Sequence, residues 1–183
     1  MSGFVPPALR PSARSLPAAL ALLTAAGLGL APPAAVANTL AHIQQLEELI
    51  NLTGTETQVR DDCGANHAGY YENDGRGLDR LVVCRNTVNM ADVEAVWEVM
   101  AHEGTHVMQA CNGGPLLQDA QIPRTMRELR SLAPHYAKLI DESYRPRDQR
   151  LEAEAFWMEL QAPEQVISLF QQACAALLRQ EKR

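Results

Sequence analysis

An α+β domain, mainly helical, with a small β-hairpin or sheet packed on one central helix, is the fold class that the sequence predicts. Three observations lead there. Apolar residues recur at three- and four-residue spacing through several long stretches after residue 38. The clearest extended segment is short, Leu81, Val82 and Val83. A turn-forming block of Asn73, Asp74, Gly75 and Gly77 stands just before it.

The 183 residues suit one domain, and 46% hydrophobic content is compatible with an ordinary core. A formal charge of -6 and scattered Lys and Arg argue against nucleic acid as a partner, because neutralising phosphates needs a basic patch. Residues 1–37 have the order of a secretory signal peptide. Arg10 and Arg14 stand without acids, residues 16–30 form an apolar core, Pro32 and Pro33 end any helix, and Ala35, Val36 and Ala37 offer a cleavage site. The apolar core is shorter than the ~20 residues of a membrane span. Cleavage after Ala37 is expected, leaving residues 38–183 as a single exported domain, periplasmic or extracellular, without a stable membrane span. That removal leaves 14 basic residues against 22 acidic ones.

In the mature chain, Asn38 and Thr39 are expected to cap a first helix reaching about Leu52, with Leu40, Ile43, Leu46 and Ile50 on its apolar face and His42 on its polar side. Residues 61–84 read as a hairpin around the turn block, and the loop residues Asp61, Asp62 and His67 read as solvated rather than as a metal site. Asn89 can cap the central helix, whose apolar residues Val93, Val96, Trp97, Met100, Ala101, Val107 and Met108 cover more than one face. Asn112, Gly113, Gly114 and Pro115 stop it. Helices broken at Pro134, another over about 147–161, and a last one opened by Pro163 complete the chain.

Cys63, Cys84, Cys111 and Cys174 form no C-x-x-C pair, and their even number at wide spacing suits two disulfides in an oxidising compartment. Three pairings are open. One bridge between Cys63 and Cys84 would clamp the hairpin, and one between Cys111 and Cys174 would tie the last helix to the central one.

The central helix carries His102, Glu103, Gly104, Thr105 and His106, an H-E-x-x-H run. On a helix the two imidazoles project from one face and can grip one zinc ion, while Glu103 lies near enough to take a proton from a metal-bound water. A catalytic site needs a third protein ligand. The metzincin extension would place a His at position 112, which is Asn112, so that subclass is excluded. Glu152, on a later helix with Ala153 and Ala155 to permit close approach, is the preferred third ligand; Glu154 is the competitor and His135 a more distant option. Two residues apart, Glu152 and Glu154 cannot both face one ion.

His102, Glu103 and His106 followed by a distant Glu-x-x-Ala resemble the gluzincin branch of the zincin-type zinc metallopeptidases. The run Val83, Cys84, Arg85 and Asn86 ahead of the motif helix, with Cys111 after it, is similar to the mitochondrial ATP-synthase assembly metalloprotease. The similarity falls in separate blocks between Leu81 and Ala155, and an export signal here replaces a mitochondrial setting. The resemblance implies a zincin-like core in which the motif helix lies beneath a small sheet whose edge strand holds an extended peptide. It implies a secreted zinc-dependent metalloendopeptidase with a peptide or protein substrate, zinc on His102, His106 and Glu152, and Glu103 as general base. Tyr136, His135 and Tyr144 are the candidates for a donor to the oxyanion. The alternatives are a non-catalytic exported zinc-binding helical domain and a zinc hydrolase of a non-peptide amide.

Overall fold

The computed structural model describes residues 34–179. The expected export segment lies outside the described residues up to position 33. The architecture is mainly helical with one small sheet, in the order α1 (Ala34–Leu52), β1 (Glu56–Arg60), β2 (Gly69–Asn73), β3 (Asp79–Cys84), α2 (Val93–Asn112), α3 (Ile122–Leu132), α4 (Pro134–Ser143), α5 (Gln149–Glu159), α6 (Pro163–Ala173) and α7 (Ala175–Leu178).

Helix α2 is the hub. It contacts α1, α5, α6, β2 and β3, so it is covered on almost every side, and residues from Val96 to Gln109 are nearly all buried. That environment explains why its apolar positions spread beyond a single stripe. The Asp92 side chain accepts from the Ala95 amide at 3.2 Å and starts the helix. Asn89, the expected cap, instead accepts from the Ala91 amide in a turn just before it. At the other end Gly113 takes φ 72°, a left-handed position that glycine reaches without Cβ strain, and the Gly114 amide closes on the Gln109 carbonyl at 2.8 Å.

The sheet has strand order β1-β3-β2. The expected hairpin is β2 and β3, paired antiparallel from Gly69 opposite Val83 to Asn73 opposite Asp79. The third strand, β1, runs parallel to β3 and has no counterpart in the sequence reading. Its residues Glu56, Thr57, Gln58, Val59 and Arg60 lack apolar alternation because β1 is a largely exposed edge, whereas Leu81, Val82, Val83 and Cys84 of the central strand are all buried. Gly69 permits the sheet to rest on α2. A Cβ there would lie 2.6 Å from Val99 Cγ1, 2.8 Å from the Val82 carbonyl oxygen and 3.1 Å from Glu103 Cγ.

Leu46 and Ile50 of α1, Leu81 of β3, Met108 of α2, Leu129 of α3, Ile140 of α4, Phe156 of α5 and Phe170 of α6 share one continuous core. Helix α1 begins at Ala34, ahead of the expected cap, so Thr39 lies inside it and its hydroxyl donates to Glu94 of α2 at 2.9 Å. His42 also departs from its expected surface position. Its ring packs edge-on against Trp97 and its Nε2 lies 3.4 Å from Glu164, so it sits where α1 meets α2 and α6. The disulfides are Cys63–Cys84, which ties the loop before β2 to the end of β3, and Cys111–Cys174, which ties the end of α2 to the end of α6. Two bridges fit an oxidising compartment. Among the described residues no helix is long and apolar enough to cross a membrane.

One half-buried charge on the hub has a stability consequence. Burial, reinforced by Glu159, Asp92 and Glu94, pushes the Glu98 carboxyl up to about 7 from its ordinary 4.5. A carboxyl raised by folding favours the folded state fully below pH 4.5, and that contribution is lost as pH rises towards 7. Glu98→Gln is therefore expected to match the wild type at pH 4 and to be more stable at pH 8 by about 1 kcal/mol, a value reduced for solvent screening. Urea denaturation at the two pH values checks it; equal stability of the two proteins at pH 8 would refute the assignment.

Candidate metal centre

Helices α2 and α5 pack side by side and bring the candidate residues together. His102 and His106 share one face of α2, and Glu152 comes from the first turn of α5. Their ligand atoms all lie within 4.8 Å of one another, and this buried group could hold a metal ion. The Glu152 oxygens stand 3.4 Å from His102 Nε2 and 3.7 Å from His106 Nε2. For ligands about 2.0–2.1 Å from a tetrahedral ion, neighbouring donor atoms are separated by roughly 3.4 Å. The two separations, one to each Glu152 oxygen, are close to that spacing, so the group could hold such an ion.

Each imidazole is held from behind. Glu159, at the end of α5, lies 2.6 Å from His102 Nδ1, and the Gln109 amide oxygen lies 2.8 Å from His106 Nδ1. Both Nε2 atoms are thereby turned towards Glu152. Orienting partners of this kind decide which nitrogen is available to a metal. The Phe156 ring packs edge-on against His102.

The charges at this spot conflict with one another. Glu103, Glu152 and Glu159 are 1%, 2% and 8% exposed, and the imidazoles of His102 and His106 accompany them. Burial drives the Glu103 carboxyl up to about 8, with Glu152 and Glu159 adding to the rise and His102 opposing it. Burial likewise raises Glu159, against the pull of His102. For His102 burial acts downward, but hydrogen bonds to Glu152 and Glu159 and the charge of Glu103 outweigh it and lift the imidazole to about 10. His106 is held below its ordinary range by burial, against the attraction of Glu152. Three carboxylates in a nearly dry site call for positive charge, as protons or as a bound cation.

Both Glu103 oxygens are buried without a close hydrogen-bond partner, and the backbone N–H of Tyr71 on β2 faces them. Tyr71 also lines a cleft of about 500 Å³ together with Asn73, Leu78, Leu151, His106 and Glu152. The cleft thus runs from the outer edge of β2 to the metal group.

The other predicted positions separate cleanly. Glu154, the competitor for third ligand, turns away from the histidines and receives the Leu116 and Leu117 amides at 2.8 and 3.0 Å and Gln109 Nε2 at 3.0 Å. His135 is exposed on the surface. Tyr136 stands near Glu159, behind His102, whereas Tyr144 lies close enough to Glu152 and Glu103 to feel both charges. Asp61 and Asp62 pair with Arg85 and Arg60 in an exposed loop, as a solvated reading requires.

Residues 48–175 match the family described as Domain of unknown function (DUF8637). The chain belongs to this family. No curated protein and no solved structure matches it. The DUF8637 region contains the whole metal group with its supports, from the last turn of α1 to the end of α6.

Two residues beside the candidate metal group were missed in the sequence. Glu159 follows Glu152 by seven residues, two helical turns, and so returns to the same face of α5; that spacing was a readable signal. Gln109 follows His106 by three residues and so lies on its face of α2. Nothing in the sequence distinguishes it from an ordinary polar residue near a helix end.

Proposed function

We propose that this chain is an exported zinc-dependent metalloendopeptidase. One observation carries the reading: the ligand atoms of the two tied-back imidazoles and Glu152 converge within 4.8 Å, and a buried carboxylate with no close partner, Glu103, stands beside them. A purely structural metal site has no use for that carboxylate, whose burial costs stability. Two nitrogens and one carboxylate oxygen form a zinc donor set with room for a fourth ligand.

When bound, zinc supplies a Lewis acid and an acidified water. Glu103 takes the proton of the attacking water onto its carboxylate and passes it to the leaving nitrogen. Tyr144 donates its hydroxyl to the oxygen of the scissile carbonyl. The outer edge of β2 presents backbone groups with which an extended peptide can pair as an added strand, and the walls of the cleft exclude water around it.

Metal analysis of the purified chain, with cleavage of a broad peptide library before and after chelation, tests the proposal. Bound zinc and cleavage that is lost with chelator and restored by zinc are expected. Zinc retained equally by His106→Ala would sink the metal assignment. Zinc without cleavage that depends on Glu103 would favour a non-catalytic zinc domain or a hydrolase of another amide. For Tyr144→Phe, measured at saturating zinc, kcat is expected to fall about 100-fold with KM unchanged. A variant with wild-type kcat would remove Tyr144 from the chemistry.

A further inference from the structure

We infer that Glu154 is a positioning residue for the metal group: acting through Gln109, it fixes which nitrogen of His106 carries the proton. This rests on the reading that His102, His106 and Glu152 hold a metal, and it adds a layer behind the ligands.

Taken alone, the 2.8 Å contact between His106 Nδ1 and Gln109 admits two arrangements. The ring can donate to the amide oxygen, or a flipped amide can donate to the ring. The far end of Gln109 decides between them. Its nitrogen stands 3.0 Å from the Leu151 carbonyl oxygen and 3.0 Å from Glu154 Oε2, so both of its hydrogens are directed at acceptors. The amide oxygen must then face the ring, His106 Nδ1 must carry the proton, and the lone pair is left on Nε2, the atom turned towards Glu152. Reversing the amide would aim a hydrogen at Nδ1 and leave the proton on Nε2, where it would obstruct a metal.

Glu154 is held in place independently of the histidine. The Leu116 and Leu117 amides donate to its two oxygens, and Arg150 lies 3.8 Å away. Its side chain is 1% exposed. The loop after α2 therefore sets Glu154, Glu154 sets the Gln109 amide, and Gln109 sets His106. The carboxylate that resembles a rival ligand by position acts two bonds further out.

The test uses the full chain with 15N-labelled histidine, stripped by chelator and held at pH 8. Long-range 1H–15N correlation spectra report the tautomer without metal, and competition with a chromophoric chelator gives the Zn2+ affinity. Wild type is expected to carry the His106 proton on Nδ1. Glu154→Gln and Gln109→Leu are each expected to give mixed His106 tautomers and Zn2+ binding weakened about 10–100-fold, with His102 signals unchanged. Their effects should not add, because both act on one contact. Adding Gln109→Glu to Glu154→Gln presents His106 with an acceptor that cannot be reversed, and is expected to recover the wild-type tautomer. A wild-type tautomer and affinity in Glu154→Gln would overturn the inference. Should Glu154→Gln fail to fold, Glu154→Ala, which frees the Gln109 amide without setting a donor against the Leu116 and Leu117 amides, decides: mixed His106 tautomers support the relay and a wild-type tautomer overturns it. Failure of every protein to bind Zn2+ would overturn the metal reading instead, while the tautomer spectra would still decide the role of Glu154.

Discussion

Glu103→Gln is expected to lower kcat/KM for peptide cleavage by roughly 10³- to 10⁴-fold while the protein keeps its zinc. The amide is close in shape to the carboxylate and does not disturb His102 or His106, but it cannot accept the proton of the attacking water. Stability should move the other way. The folded protein raises the Glu103 carboxyl to about 8, so the carboxyl favours folding below pH 4.5 and loses that contribution as pH rises to 8. After chelation, the Gln variant should therefore be at least as stable as wild type at pH 8. Kinetics, metal analysis and thermal melts on the same samples check all three statements. Unchanged cleavage in this variant would remove Glu103 from the mechanism whatever its metal content.

Glu152→Gln is expected to weaken zinc binding by well over the roughly 10–100-fold that loss of an outer partner costs. The carboxylate is 3.4 and 3.7 Å from the two Nε2 atoms and contributes the only negative charge among the three ligands. In the wild type, zinc at 100 times its Kd should stabilise the fold by about 2.7 kcal/mol through mass action. In Glu152→Gln that rise in melting temperature should vanish at the same zinc concentration, whereas Glu154→Gln should retain part of it. Equal zinc-dependent shifts in wild type and Glu152→Gln would show that α5 supplies no ligand.

What the sequence made legible follows the range of the interactions concerned. The spacing of His102 and His106 is a local helical property, and it places two ligands before any tertiary contact is known. The hairpin was readable because Leu81, Val82 and Val83 are buried on both sides and a run of turn residues precedes them. Strand β1 was not, since an exposed edge needs no apolar pattern and its parallel partner lies beyond an intervening strand. Choosing Glu152 over Glu154 required knowing which face of α5 meets α2, and only the Ala153 and Ala155 flanks hinted at it. The cap shifted from Asn89 to Asp92 because both are good caps, and the path of the chain after β3 decides between them. The bridges Cys63–Cys84 and Cys111–Cys174 join segments 21 and 63 residues apart, a relation that four cysteine positions alone leave three ways open.

If the group holds an ion, the unequal exposure of the three candidate ligands determines how that ion arrives. His102 and Glu152 are sealed at 1% and 2%, beneath Phe156 and between two helices of the core, whereas the His106 side chain keeps 14% of its surface open beside the cleft. Helix α2 is too thoroughly covered to swing aside short of unfolding much of the domain. On the proposed reading, a cation would enter along the cleft assigned to the peptide, meet His106 first and settle onto Glu152 and His102 afterwards. A molecule lodged in the cleft would then block that doorway and slow the exchange of the ion behind it in both directions.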